Sequence, residues 1–176
     1  VNLPDEEFDP LLGESTGAGA IFGATGGVME AALRTVADIL EGKDLDAIEY
    51  TAVRGIEGVK EATVNVGGKE IKLAVAHGTG NAKILMEKMK KGEADYTFIE
   101  VIGGGQPIVP ARERMASDPR VVRAKAIYEE DKALPERKSH KNASVQKLYD
   151  EYLGKPNSHK AHELLHTHYV DRSASR

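Results

Sequence analysis

Two stretches of the chain carry residue types at spacings that could do chemistry. Near one end, His162-Glu163-Leu164-Leu165-His166 sets two imidazoles one helical turn apart with a carboxylate between them. This is the H-E-x-x-H arrangement, in which paired histidines hold zinc and the glutamate activates water. Catalytic zinc needs a third protein ligand. His168 stands only two residues beyond His166 and, on a continuing helix, faces another side; no glutamate follows it. Metal uptake by His159, His162 and His166 without hydrolysis is a weaker form of the same idea. In the plainest reading the imidazoles cap carbonyls at the negative end of a helix dipole.

The second stretch is GESTGAGAIFGATGGVMEAALR, residues 13–34, which holds six of the chain's 18 glycines. Glycine at this density means that the backbone approaches something closely or adopts positive φ. A glycine-rich helix entrance can cradle an anion on its N–H groups. A phosphate loop, however, requires Lys-Ser or Lys-Thr after the last glycine, and Gly27 is followed by Val28 and Met29. A dinucleotide turn must follow a buried strand, whereas NLPDEEFDPLL precedes Gly13. What remains is a helix packed so tightly on its neighbours that side chains would not fit.

The elements that must position these stretches follow from periodicity. Met29, Leu33, Val36 and Leu40 form one helical stripe from Thr25 on, stopped by Gly42. Ile48, Tyr50 and Ala52 alternate as a strand ending near Arg54. Ala62-Val64-Val66 and Ile71-Leu73-Val75, split by Gly67-Gly68, read as a hairpin. The polar residues Lys60, Thr63, Asn65 and Lys72 point outward and set one strand at a sheet edge. Strand 70–76, a helix with Leu85, Met86 and Met89 inside, and a strand over 96–101 make a strand-helix-strand unit with parallel strands. Function in such units sits at the carboxyl ends of the strands, here 77–81 and 102–106. From Pro110 the pattern is helical. Pro119 opens a helix with Ala124, Ile127 and Tyr128 inside, Asn142 or Ser144 caps the next, and the last starts near Ser158 with Leu164, Leu165 and Tyr169 on one face. The expected architecture is α/β: a mostly parallel four-stranded sheet with a β-hairpin, flanking helices and an all-helical C-terminal third. It forms a single domain with a linker over 1–12, an α/β lobe over 13–109 and a helical part over 110–176.

Composition narrows the function classes. The 176 residues with 40% apolar content suffice for one core. No apolar run approaches the ~18 residues of a membrane span and no leader precedes the domain, so no membrane partner is expected and the cytoplasm is the default compartment. A formal charge of -4, with basic residues interspersed among acids, argues against nucleic acid. Cysteine is absent, which removes disulfides and thiolate ligands together.

Residues 13–35 as a string, then AVAHGTGNAKIL, DYTFIEV before GGGQP, RAKAIYEEDKALPERKSHKNASVQKLYDEYLGKP and AHELLHTHY, resemble in order the C-terminal half of the catalytic domain of iron-only hydrogenases. The resemblance implies a lobe of that domain, whose parent activity is reversible combination of protons and electrons to H2. The family's H-cluster, a four-iron cubane bridged to a two-iron site, hangs on four cysteines. Two of them lie in a Cys-Pro-Gly-Gly-Cys loop between the Glu-Val and the Gly-Gly-Gly-Gln-Pro; here FIEVIGGGQP runs straight through. By resemblance Phe22 and Gly23 line the two-iron site, Met29 lies further along the same helix, and Ile102 either replaces a cluster-touching methionine or belongs after the deleted loop. The other two cysteines and the proton relay belong to a missing N-terminal half. The resemblance thus implies an inert lobe, natural or made by excision, without catalytic residues or a bound cofactor. Its partner is the missing half, or a second copy meeting an exposed face at Ile21, Phe22 and Ile102. The rival is a metal-binding or zinc-dependent hydrolytic protein using His162 and His166.

Overall fold

The computed structural model describes residues 6, 13–46, 48–55, 58–103 and 119–170. They divide into two compact units, one within Ser15–Ser139 and one drawn from Val1–Glu14 and His140–Arg176.

In the first unit a short helix α1 (Gly17–Ala20) passes through a 3-10 turn into α2 (Gly27–Glu41), and Gly42 closes α2 in the left-handed conformation. Met29, Leu33 and Ala37 form the buried row of α2 and pack with Val53, Val66, Leu73 and Val75. The expected members Val36 and Leu40 stay exposed. Strands β1 (Val59–Val66) and β2 (Lys69–His77) make the antiparallel hairpin, with Val66 opposite Lys69. Its turn needs two positive φ angles, and Gly67 and Gly68 supply +59° and +72°. Helix α3 (Thr79–Lys90) then carries the chain to β3 (Phe98–Ile102), which pairs in parallel with β2 from Leu73↔Phe98 to His77↔Ile102.

Among the described residues the sheet is three-stranded and mixed, in the order β1-β2-β3, rather than four-stranded and mostly parallel. The strand expected over 48–54 does not form; residues 51–53 make a 3-10 turn. Its carbonyls are taken by side chains instead of a ladder: Arg34 Nε donates to Ile48 C=O at 3.0 Å, and Lys60 Nζ donates to Val53 C=O at 2.6 Å and Gly55 C=O at 3.1 Å. Lys60, expected to point outward, is therefore buried.

Central strand β2 is covered on both faces, and Leu73, Ala74, Val75 and Ala76 are all buried. Leu73 and Val75 face the α2 cluster; Ala74 and Ala76 meet Leu85 of α3. Two alanines give α3 a narrow seat, so Leu85 is its one buried residue and Met86 and Met89, expected inside, are exposed. Helix α4 (Pro119–Ala133) brings Ile127 and Tyr128 against Ala18, Ile21 and Ala31. Ile21 is accordingly fully buried and forms no part of an open face.

The second unit holds α5 (Ala143–Leu148), a π-helical turn Tyr149–Leu153 and α6 (His159–Leu165). Asn142 caps α5: its Oδ1 accepts from Val145 N–H at 3.0 Å while its Nδ2 donates to Glu14 C=O at 2.7 Å. Asn142→Ala is expected to cost about 1 kcal/mol through the cap and to speed hydrogen exchange at the Val145 amide. Ser158 caps α6, which ends at Leu165. Leu164, Leu165 and Tyr169, expected on a packed face, are exposed, and Tyr169 lies beyond the helix. No helix among the described residues is long and apolar enough to cross a membrane.

Candidate functional site

The glycine-rich entrance to α2 is held against the carboxyl end of the sheet by one side chain from β3. Glu100, buried, accepts from Gly26 N–H through Oε1 at 2.8 Å and from Met29 N–H through Oε2 at 2.6 Å. A carboxylate on the first-turn amides satisfies donors that the helix leaves orphaned and meets the positive end of its dipole. Here the cap comes from 71 to 74 residues away in sequence. Lys60 of β1 grips the other side of the 53–55 turn, and its Nζ lies 3.4 Å from Thr25 C=O. Glycine is required where these backbones meet. A Cβ on Gly26, at φ +88°, would sit 1.9 Å from Val53 C=O, and one on Gly27 would sit 1.7 Å from Ile21 C=O. The close-packing account of the glycines is the one realised here.

Beneath this rim lies a buried charge network that sequence reasoning missed. Arg34, Glu30 and Asp131 are fully buried. Arg34 donates to both oxygens of Asp131 at 2.7 and 2.9 Å, to Glu30 at 2.9 Å and to Arg137 C=O at 2.9 Å. Arg54 pairs with both oxygens of Glu30 and lies 4.0 Å from the Tyr128 ring centroid; Arg137 completes Asp131. Burial pushes the Asp131 carboxyl up, but the hydrogen bonds from Arg34 and Arg137 outweigh it and hold it below the ordinary value. A second buried pair ties α2 to the segment after α4: Lys138 Nζ reaches Asp38 at 2.7 Å, Asp44 at 2.6 Å and Leu45 C=O at 2.7 Å. The Glu30 and Arg34 spacing of one turn was the only visible signal of all this.

The residues singled out by resemblance are placed as follows. Phe22 is half exposed, at 51%. Gly23 faces Ile127, whose Cδ1 would stand 3.0 Å from a Cβ there. Met29 buries its side chain in the core and offers its backbone N–H to Glu100. Ile102 ends β3, partly buried, and its C=O accepts from Gly78 N–H at 2.8 Å, so the two strand ends leave the sheet together. Beside it His77 keeps a buried Nδ1 with no hydrogen-bond partner among the described residues. Residues 104–106 of the expected edge lie outside the described residues.

The histidine motif is broken by the end of its helix. His162 is on α6, but His166 has left it, with φ -88° and ψ 123°. Their rings stack at 4.7 Å and 14°, and the chain turns so that His168 comes within 5.3 Å of His166 and 6.4 Å of His162, centroid to centroid. As the side chains stand, no group of three His, Cys, Asp or Glu among the described residues is arranged to hold a metal ion.

A glycine-rich helix entrance docked on the last strand of a strand-helix-strand unit defines an α/β fold. Residues 1–104 match the model of the iron only hydrogenase large subunit, C-terminal domain, and residues 117–172 match that of the iron hydrogenase small subunit. The chain belongs to the iron-only hydrogenase family. It is 46% identical over 175 residues to iron hydrogenase 1 of Clostridium pasteurianum, covering 95% of this chain and 30% of that one. It superposes on a single-residue variant of the [FeFe]-hydrogenase HydA1 from Chlamydomonas reinhardtii with a TM-score of 0.62 and 37% identity, over 96% of this chain and 50% of that one. A more distant relative is cytosolic iron-sulfur assembly component 3 of Pongo abelii, 32% identical over 96% of this chain and 37% of its own. The chain thus spans about a third of the length of these curated relatives. The family's cluster requires thiolates, and none of the 176 residues is a cysteine. The donor set of this chain does not fit it.

Proposed function

We propose that this chain is a lobe of an iron-only hydrogenase catalytic domain that forms one wall of the cluster pocket and contributes no ligand to it. The observation that carries the reading is the pair of hydrogen bonds from Gly26 and Met29 to Glu100. They hold the entrance to α2, which follows Phe22 and Gly23, against β3 two residues before Ile102, and this supports a wall near the point where the resemblance sets the family's cysteine loop. Phe22, Gly23 and Ile102 supply the wall, and Met29 supports it from the core. The rest of the pocket comes from the complementary half of the domain, and the lobe is inert by itself. The hydrogenase reading is preferred to iron–sulfur assembly because the identity is higher, 46% against 32%.

Anaerobic reconstitution with iron and sulfide, followed by iron analysis and an H2 assay, tests this. The expected result is no retained iron and no gas from the chain alone. A stable four-iron cluster or measurable turnover overturns it. Mixing with the complementary half of a relative is expected to give a complex on size exclusion, and no association would count against the lobe assignment.

A further inference from the structure

We propose that the carbonyls of Thr25, Val53 and Gly55 form a recognition site for a primary ammonium group, which the native chain fills with its own Lys60. Lys60 is buried, and its Nζ donates to Val53 C=O at 2.6 Å, to Gly55 C=O at 3.1 Å and to Thr25 C=O at 3.4 Å. A lysine ammonium carries three N–H donors and no acceptor, so carbonyls converging on one point suit that group.

The oxygens belong to two separate segments that are forced together. At Gly26 the backbones approach so closely that a Cβ would stand 1.9 Å from the Val53 oxygen and 3.3 Å from Lys60 Nζ. Carbonyl oxygens facing one another across such a contact carry like partial charges. A cation between them converts repulsion into attraction, as in filters built from backbone carbonyls. Residues 51–53 form a 3-10 turn and join no sheet among the described residues, so the oxygens of this turn look to side chains for partners. Burying a charge is costly unless it is hydrogen-bonded, and here the carbonyl dipoles meet it. Gly55 is exposed, so the site adjoins solvent on that side. The entrance to α2 is thereby gripped by opposite charges: the Glu100 carboxylate on its amides from β3, and an ammonium on Thr25 C=O from β1.

The test is chemical rescue in the full chain. Lys60→Ala removes the side chain from Cγ to Nζ, which free propylammonium supplies. In that variant the amides of Val53 and Arg54, which donate to Tyr50 C=O and Thr51 C=O, should exchange with solvent at least about tenfold faster, because a hydrogen bond to a charged group is worth at least that factor. Propylammonium chloride should restore their protection saturably, whereas tetramethylammonium chloride at the same concentration, a cation without an N–H, should not. Lys60→Met, which keeps the stem and has no donor, should show the loss and no rescue. Equal rescue by the two salts, no rescue by propylammonium, or native protection in Lys60→Met overturns the proposal. Should neither variant fold, the native chain decides by NMR: isotope-labelled Lys60 Nζ should show scalar coupling across its hydrogen bonds to the carbonyl carbons of Val53 and Gly55, and absence of both couplings overturns the proposal. The result is independent of the hydrogenase reading, which stands or falls on iron and H2.

Discussion

Replacing Arg34 by Met should lower the unfolding free energy by about 3–5 kcal/mol, the cost of leaving buried charges without their partner. The variant keeps the stem and the helix propensity but removes a guanidinium that serves Asp131, Glu30 and the carbonyls of Ile48 and Arg137. Arg137 stays paired with Asp131 and Arg54 with Glu30, but each carboxylate loses the one fully buried cation that bridges the two. Equilibrium denaturation at neutral pH reads the loss directly. The pH dependence gives an independent check. Asp131 has its carboxyl held below the ordinary value in the folded state, so its contribution is complete above the unfolded-state carboxylate range and is lost as pH falls through the folded value. Asp38 behaves alike: burial raises its carboxyl and the hydrogen bond from Lys138 more than offsets that. The native chain should therefore lose stability steeply on the acid side, while Arg34→Met, having already lost much of the Asp131 contribution, should show a shallower acid limb. An equal acid slope in the two proteins would show that Arg34 does not set the Asp131 carboxyl.

What could be read from the sequence was whatever local chemistry decides. Gly67-Gly68 fixed a hairpin because only positive φ closes it, and Asn142 and Ser158 cap helices through their own side chains. The strand-helix-strand unit was legible from two apolar runs with a helix between them. The failures share a cause, which is long-range satisfaction of polar groups. Ile48, Tyr50 and Ala52 alternate as a strand would, yet Arg34 and Lys60 occupy the carbonyls of Ile48 and Val53 and remove the need for a neighbouring strand. Lys60 counted as outward because lysine in a hairpin usually is; three carbonyls made a place for it inside. Asp131, 97 residues from Arg34, gives no periodic sign of its partner. The site divided along the same line. Resemblance singled out Phe22, Gly23, Met29 and Ile102 as a wall still to be tested, but nothing in FIEV indicated that its glutamate is the cap of a helix more than 70 residues earlier.

That cap supplies the second large effect. Glu100→Ala should cost about 2–6 kcal/mol, because the N–H groups of Gly26 and Met29 are both buried against β3 and each loses its acceptor. Glu100→Gln separates two contributions. It keeps one carbonyl oxygen for one of the two amides and removes the charge facing the helix dipole, which alone is worth up to about 2 kcal/mol when partly buried. It should fall between the native chain and Glu100→Ala. Hydrogen exchange says where the loss is felt: the amides of Gly26 and Met29 should exchange faster in both variants. The amides of β1 paired with β2 through 66–69, far along the sheet from this edge, should keep their relative protection. If Gly26 and Met29 exchanged no faster than those of the hairpin in Glu100→Ala, the carboxylate would not be what holds the rim, and the wall proposed at Phe22 and Ile102 would need another anchor. If they alone were released, the glutamate in the chain's FIEV segment is what holds the entrance to α2 against β3, as the proposed wall requires.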